Sequence, residues 1–369
     1  MALDAGADGV KLSTTKLPQI MNGSQMIKRA LLLCVLSFQA VADPNQPPAN
    51  PAASPAARAE LAFIQGLASR PDKRVLSGQF TDAGDKASGS AAFLERIQKI
   101  SGRTPAILGV DYANWWNGGI AATAPNAAAI QHWQQGGLVA IEVHCADPCR
   151  TNLAVSGLRD QDVDVTPLLD PQSPPHAVWM QELDQMAAGL QQLRAAGVVV
   201  LWRPFHEMNG GWFWWGAKKP EVFILLWRQM FDYFTQVKHL DNLLWVYAPN
   251  HGDHTADYYP GDHYVDLVGV DAYTDFVDTN HIQGTAAMLA LPKPFGFAEF
   301  GPHDPFHPPG DYDYRRFIVG VQQNFPQTTW FMAWNANWGL ATNNNVGELL
   351  HHPWVVNRGE VPNFQTTRP

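Results

Sequence analysis

The chain has 369 residues, enough for one large domain or two small ones, and its hydrophobic fraction of 46% is typical of a globular protein with a sizeable core. The formal net charge of −9 argues against binding to nucleic acid or to an anionic membrane, because both need basic surfaces on the protein. Fourteen tryptophans indicate a surface that stacks against flat rings, sugars included. A large core that happens to use tryptophan is the alternative.

Residues 26–42 have the pattern of a secretory signal peptide. Residues 26–29 include two basic side chains, 30–38 form a short apolar run, and Ala40 and Ala42 give a small-residue cleavage pattern. The apolar run is too short to cross a bilayer, which predicts an exported protein rather than an anchored one. We expect a mature chain that begins near Asp43, with residues 1–25 belonging to a misassigned upstream start.

Cleavage at this position removes Cys34 and leaves Cys145 and Cys149. Two cysteines four residues apart in an oxidising compartment predict a small local disulfide. A lipid anchor on Cys34 is the alternative, but the leucines that precede it are larger than the residues such a site needs.

The remaining chain is predicted to contain one catalytic domain, residues 58–360, between a Pro- and Ala-rich flexible leader at 43–57 and a C-terminal tail at 361–369. Short apolar runs alternate with amphipathic helical segments such as 179–196 and 221–238, which predicts a parallel sheet covered on both faces. The predicted strands are 75–80, 106–112, 138–144, 198–205, 243–249, 265–273, 295–300 and 330–335. Eight such units favour an α/β fold of the (β/α)8 TIM-barrel type, with a doubly wound open sheet as the alternative.

Catalytic side chains of such barrels lie at the carboxyl ends of the strands. Polar and aromatic side chains follow that rule in six of the predicted strands: His144, His206, Glu207, Asn250, Asp271, Tyr273, Glu299, Trp334 and Asn335.

Two of these residues are glutamates on the fourth and seventh predicted strands, which lie on opposite sides of the barrel. Glu207 and Glu299 can therefore point into one cleft from both sides. A pair of carboxyl groups at that spacing is what glycosidic hydrolysis with retention needs, one as acid and one as nucleophile. Their apolar neighbours would raise the pKa of a carboxyl group, as a general acid requires.

The segments 202–212 (WRPFHEMNGGW) and 297–302 (FAEFGP) resemble the motifs of glycoside hydrolase family 26, whose main activity is β-1,4-mannanase. The resemblance covers nearly the whole predicted domain. It implies Glu207 as acid/base and Glu299 as nucleophile, with a mannan-type polysaccharide or oligosaccharide as substrate and no cofactor. Xylan and mixed-linkage β-glucan, which the family also includes, remain alternative substrates.

Further sugar contacts follow from the same resemblance. His206 is similar to the family's supporting histidine, Trp212 to its aromatic wall near the +1 sugar, and Tyr273 to the tyrosine that bonds the nucleophile. Trp334 is similar to the platform under the −1 sugar, and His144 to a polar contact there. Asn335, which stands where some members have arginine, is also predicted to contact the substrate, but this difference leaves the next subsite on that side unpredicted.

Two further aromatic regions are interpreted from their position alone. Trp115 follows the second strand and suits a sugar subsite, whereas Trp214 and Trp215 are interpreted as packing anchors of the loop after strand four. Arg203 is expected to support the strand ends rather than to contact sugar.

Other classes of function fit less well. His206-Glu207 lacks the second histidine of a zinc protease motif, and the 13 histidines are otherwise scattered, so no metal is predicted. A non-catalytic secreted carbohydrate-binding protein is the remaining alternative, but it would not need two buried glutamates. We expect a monomer without nucleic-acid or membrane partners.

Overall fold

The computed structural model describes residues 46–113, 119–150, 158–159, 162–303 and 309–365. Ten strands within these ranges belong to one sheet. Their bounds are β1 Val75–Leu76, β2 Gly78–Ala83, β3 Ile107–Asp111, β4 Leu138–Glu142, β5 Val200–Arg203, β6 Leu243–Tyr247, β7 Leu267–Tyr273, β8 Phe295–Gly301, β9 Thr328–Ala333 and β10 Val355–Val356.

Strands β2 to β9 form a closed parallel barrel. Each pairs with the next along the chain, and β9 pairs both with β8 and, through Gln79 and Ala333, with β2. This closure confirms the predicted (β/α)8 barrel and excludes the open sheet. The fourth and seventh barrel strands, which were expected to carry the two glutamates, are β5 and β8. The short strands β1 and β10 pair with each other, and β1 also pairs with β9.

Helices connect most of the barrel strands. They are α1 Pro55–Leu67, α2 Ser90–Ser101, α3 Thr123–Gln134, α4 Pro174–Ala195, α5 Pro220–Asp232, α6 Thr285–Leu289, α7 Arg315–Asn324 and α8 Val346–Leu350. The predicted helix at 221–238 ends earlier than expected, because a π-helical turn at Tyr233–Val237 follows α5. None of the helices in the described ranges is both long and apolar enough to cross a membrane.

The segment predicted as a flexible leader is packed from residue 46 onward. Asn50 is buried and its amide donates to the Leu240 carbonyl at 3.1 Å, while the Ala49 N–H donates to Asp266 at 2.7 Å. Ser54 caps α1, which starts at Pro55 and contacts both β6 and β9. These strands are three positions apart in the barrel, so α1 crosses one end of it. The Pro- and Ala-rich composition was misleading, because proline at a helix start and buried alanines are both compatible with packing.

The predicted disulfide is not present, and this prediction was wrong for the structure. Cys145 and Cys149 are both free thiols. The Cys145 side chain is buried in the core, whereas the Cys149 Sγ lies 3.5 Å from the carbonyl oxygen of Asp164. Sequence spacing gives only the length of the loop between two cysteines and does not fix the direction of their side chains.

Glu60, in the middle of α1, is fully buried, and neither of its carboxyl oxygens has a hydrogen-bond partner among the described residues. Burial raises the pKa of Glu60 to about 8. Because the folded state holds the proton more tightly than the unfolded state, Glu60 destabilises the fold progressively as pH rises from its ordinary pKa towards 8.

Glutamine cannot ionise, so Glu60→Gln should gain free energy of unfolding relative to wild type as pH rises. We expect this difference between variant and wild type to be roughly 2–4 kcal/mol larger at pH 8 than at pH 5. Urea unfolding at both pH values measures this difference, with exposed Glu95→Gln on α2 as the control. Equal pH dependence of Glu60→Gln and wild type would contradict it.

Candidate active site

The carboxyl ends of the barrel strands surround a cleft of about 580 Å³. Side chains from six strand ends and their loops line it: His144, Arg159, His206, Glu207, Trp212, Phe213, Asn250, His251, Tyr273, Glu299, Trp334 and Trp338. The sequence therefore predicted much of the lining. Arg159, Phe213, His251 and Trp338 were not predicted, because loops after strands carry no periodic pattern that would give their direction.

Glu207 and Glu299 face each other in this cleft. A carboxylate oxygen of Glu207, one of Glu299 and one of Asp271 all lie within 4.8 Å of one another. Retaining glycosidases hold their two carboxyl groups about 5–5.5 Å apart, whereas inverting enzymes need roughly 6.5–9.5 Å to admit a water molecule. The spacing fits covalent catalysis with retention.

A tight turn after β5 places Glu207. Phe205 and Glu207 both have positive φ angles, 51° and 55°, which are unfavourable for residues with a side chain. The Glu207 N–H donates to the Ala248 carbonyl at 2.8 Å, which ties the turn to the end of β6. Strain of this kind persists only where the surroundings hold it, and it often occurs at functional sites.

The environment of Glu207 favours its neutral form. Burial, and then the nearby Glu299 carboxylate, raise the pKa of Glu207 to about 8. The indole N–H of Trp212 donates to its Oε2 at 2.5 Å and partly offsets that rise by stabilising the charged form. At neutral pH Glu207 is therefore a proton donor.

Glu299 is held by two donors. The Arg203 guanidinium donates to its Oε1 at 2.6 Å, and the Tyr273 hydroxyl donates to its Oε2 at 2.6 Å. Gly301 allows the tyrosine to approach, because a Cβ at that position would lie 2.3 Å from the Tyr273 ring. Both oxygens are therefore fixed in direction, as a positioned nucleophile requires.

Arg203 is the buried cation of the site. It is 2% exposed and bonds Glu142 and Asp271 in addition to Glu299. Burial lowers the pKa of Arg203, but the three carboxyl groups raise it by more, so the guanidinium stays charged. Burial also raises the pKa values of Glu142 and Asp271 well above their usual range. The expectation that Arg203 supports the strand ends agrees with these contacts, but the role of Glu142 was missed.

His144 and His206 form a hydrogen-bonded pair beside the two glutamates. Their Nε2 atoms are 2.8 Å apart, and His144 Nδ1 lies 2.6 Å from Asp111 Oδ2. Burial lowers the pKa of His206 well below its ordinary value, and the positive charge of Arg203 adds to the effect. His206 is therefore a neutral imidazole, and both histidines line the cleft as polar groups. Asp111 was not predicted.

The aromatic residues divide into lining and packing groups. Trp212 and Trp334 are half-buried and line the cleft. Trp214 and Trp215 are fully buried and donate to the carbonyls of Cys145 and His206, which confirms their interpretation as packing anchors. Trp115 lies outside the described residues.

Among the residues that the structure describes, three clusters of acidic and histidine side chains bring potential ligand atoms within 4.8 Å of one another: Asp111, Glu142 and His144; Glu142, His206 and Glu299; and Glu207, Asp271 and Glu299. Each cluster contains at least one carboxylate that Arg203 already bonds. A metal ion at any of them would therefore have to compete with a buried guanidinium.

Comparison with known proteins places this geometry in a family. The sequence profile of glycosyl hydrolase family 26 matches residues 49–360. A mannan endo-1,4-beta-mannosidase of Bacillus subtilis is 35% identical over 87% of this chain and 91% of its own length. Mannan endo-1,4-beta-mannosidase A and B of Caldalkalibacillus mannanilyticus is 36% identical over 85% of this chain, which spans 62% of that relative.

Solved structures agree with the sequence comparison. The Bacillus subtilis mannanase BCman superimposes with a TM-score of 0.80 at 34% identity, covering 88% of this chain and 98% of BCman. A β-mannanase from a symbiotic protist of the termite Reticulitermes speratus, solved with a gluco-manno-oligosaccharide, has a TM-score of 0.71 at 26% identity, covering 86% of this chain and 97% of its own. With a matching profile over most of its length and a closed barrel that carries two facing glutamates, the chain belongs to glycosyl hydrolase family 26.

Proposed function

We propose that this protein is a retaining β-1,4-mannanase that cleaves mannan or manno-oligosaccharides by double displacement. The facing carboxyl groups of Glu207 and Glu299 are the observation that carries the proposal, since they differ in environment as an acid and a nucleophile must. The mannanase names of the relatives at 35% and 36% identity support the choice of substrate.

In the first step, the neutral Glu207 protonates the glycosidic oxygen while the Glu299 carboxylate attacks the anomeric carbon. The bond to the leaving sugar breaks, and a covalent glycosyl–Glu299 ester forms. In the second step, Glu207, now ionised, removes a proton from water as the water attacks the same carbon. This releases the sugar with retained configuration and returns the proton to Glu207.

The neighbouring side chains have positioning roles in this proposal. Arg203 and Tyr273 hold the two oxygens of Glu299, and Trp212 holds Glu207 through its indole N–H. Trp334 offers a ring face for the sugar whose glycosidic bond is cleaved, and His144 and His206 offer polar contacts to its hydroxyl groups.

Purified protein incubated with mannan, xylan and mixed-linkage β-glucan tests the proposal directly. We expect release of reducing ends from mannan alone, with product lengths that reveal internal or chain-end attack. Cleavage of xylan or glucan instead would reject mannan as the substrate but would leave the proposed mechanism unchanged. Binding of mannan without cleavage would favour the carbohydrate-binding alternative, which the paired, buried glutamates argue against.

The pH dependence of kcat/KM provides an independent prediction. Glu207 must be protonated to act as acid, and its pKa is raised to about 8. Activity should therefore fall as pH rises through about 8, far above the ordinary pKa of a glutamate. Because the Trp212 hydrogen bond stabilises the charged form, Trp212→Phe should move this fall to higher pH. A loss of activity centred near pH 5 would contradict the assignment.

We further propose that the protein is exported and acts as a monomer. Mannan is a polymer that cannot enter a cell, so its hydrolase must meet it outside, and residues 26–42 have the pattern of a signal peptide. N-terminal sequencing of the exported protein should give a start near Asp43, and size-exclusion chromatography should give the monomer mass.

A further inference from the structure

Asn209 lies two residues after Glu207, in the turn that carries the acid/base carboxyl group. Its half-buried side chain bonds three main-chain groups of the loop that follows β6. The amide nitrogen donates to the carbonyls of Asn250 at 2.8 Å and of Asp253 at 2.9 Å, and the amide oxygen accepts the Asn250 N–H at 2.9 Å. One side chain therefore joins two loops at the rim of the barrel.

The loop that Asn209 contacts is itself fixed to the other half of the site. The backbone of Asn250 pairs with that of Asp271 on β7 in a parallel bridge. The Asp271 carboxyl group bonds Arg203, which also bonds Glu299. A continuous series of backbone and side-chain contacts thus runs from the turn of the acid/base, through Asn209, to the group that holds the nucleophile.

The turn needs support from outside because its own backbone is unfavourable. Phe205 and Glu207 both have positive φ angles, which are uncommon for residues with a side chain. The Gly210 N–H donates to the Glu207 carbonyl at 2.9 Å and closes the turn, but this local bond does not fix its direction relative to the neighbouring strands. The bond from the Glu207 N–H to the Ala248 carbonyl and the three bonds of Asn209 do so.

The amide of Asn209 serves the protein itself rather than the substrate. Both of its polar atoms bond main-chain groups, and Asn209 is not among the side chains that line the cleft. An amide combines two N–H donors with one acceptor, as two carbonyls and one N–H require. Aspartate has the same shape, but it would turn an acceptor towards the two carbonyl oxygens.

We propose that Asn209 is a positioning residue that fixes the distance of the Glu207 carboxyl group from Glu299 and so controls proton transfer to the leaving group. This proposal rests on the proposed mannanase function. A general acid must lie within hydrogen-bond reach of the oxygen that it protonates, and a displacement of about 1 Å can lower a rate about 100-fold. Loss of the Asn209 amide should therefore impair the steps in which Glu207 moves a proton and leave the attack by Glu299 unaffected.

The test compares mannan with 2,4-dinitrophenyl β-mannobioside, whose leaving group departs without protonation. For Asn209→Ala we expect kcat on mannan to fall by about 10- to 100-fold, with a change in KM of less than about threefold. The rate constant for the first turnover of the mannobioside should fall by less than about threefold, since that step does not use the acid. A burst of released phenol should follow, because the second step still needs Glu207 as base.

Three further variants separate positioning from folding. Adding Asn209→Ala to Glu207→Ala should cost less than about threefold more on mannan, since no carboxyl group is left to position. Asn209→Asp should resemble Asn209→Ala, and it provides the same comparison if the alanine variant does not fold. Asn324→Ala is the matched control, because the Asn324 amide also donates to two main-chain carbonyls, those of Val277 and Gly320, and should leave both substrates unaffected.

Equal losses on mannan and in the first turnover of the mannobioside would show a general structural role and overturn the proposal. A loss that adds fully to that of Glu207→Ala, or an unchanged kcat on mannan, would overturn it as well. Each of these results would leave the proposed function intact. A wild-type protein that hydrolyses neither substrate would instead reject the proposed function, and the role of Asn209 with it.

Discussion

Glu299→Ala is expected to lower kcat on mannan by at least about 10³-fold, because it removes the carboxylate that forms the covalent intermediate in the proposed mechanism. The variant should still fold and bind mannan. Arg203 keeps Glu142 and Asp271 as buried hydrogen-bond acceptors, so removal of Glu299 does not leave its guanidinium without partners. Initial rates on mannan and binding to mannan measured by affinity electrophoresis check the two halves of this expectation.

Azide provides a sharper test of the same residue. The space left by the Glu299 side chain lies below the anomeric carbon, so azide can enter there and displace an activated aryl leaving group. The product should be α-mannosyl azide, with inverted configuration, and its formation should restore turnover. The isosteric Glu299→Gln is the matched control, since it removes the charge but leaves no room for azide. Wild-type-like turnover of Glu299→Ala without azide would reject Glu299 as the nucleophile.

Glu207→Ala should lower kcat/KM on mannan by about 10²- to 10⁴-fold, the usual contribution of a general acid. Its effect should depend strongly on the leaving group. A 2,4-dinitrophenolate leaves without protonation, so formation of the glycosyl–enzyme should remain fast with 2,4-dinitrophenyl β-mannobioside as the substrate. Hydrolysis of that intermediate should become slow, because no base activates water, and a burst of released phenol should precede the steady state.

Azide again distinguishes the role. In Glu207→Ala, azide should attack the covalent intermediate from the face that Glu207 occupied and give β-mannosyl azide. The two variants are thus predicted to give azides of opposite configuration. A loss of activity in Glu207→Ala that is equal for mannan and for the dinitrophenyl substrate, without a burst, would contradict its assignment as acid/base.

The sequence predicted the barrel because its strands are buried on both faces and read as nearly continuous apolar runs, interrupted only at their carboxyl ends. Glu207, Glu299 and Tyr273 stand out against such a background. The roles of Asp111 and Glu142 were not predicted, although both residues lie inside predicted strands. Their partners His144 and Arg203 come from neighbouring strands. Those contacts depend on strand register, which a single sequence does not give.

Local chemistry explains the other differences between prediction and structure. The Pro- and Ala-rich segment 46–57 was predicted to be flexible, but Ser54 caps α1 and Pro55, Ala56 and Ala57 form its first turn. The cysteine pair reads as a disulfide by spacing and compartment, yet the thiols remain separate. Asn335 was expected among the substrate contacts, but it does not line the cleft and instead lines a smaller neighbouring cavity of about 140 Å³ that it shares with Trp334. The positive φ angles at Phe205 and Glu207 have no signature in side-chain type.

The central claim, that two facing glutamates cleave β-mannan with retention, is tested most directly by proton NMR of the first products formed from mannopentaose. Anomeric protons distinguish α from β reducing ends before mutarotation mixes them. The double-displacement mechanism predicts that the β-anomer appears first and then equilibrates with the α-anomer. Initial appearance of the α-anomer would contradict the covalent mechanism, and an unchanged spectrum would contradict the mannanase function itself.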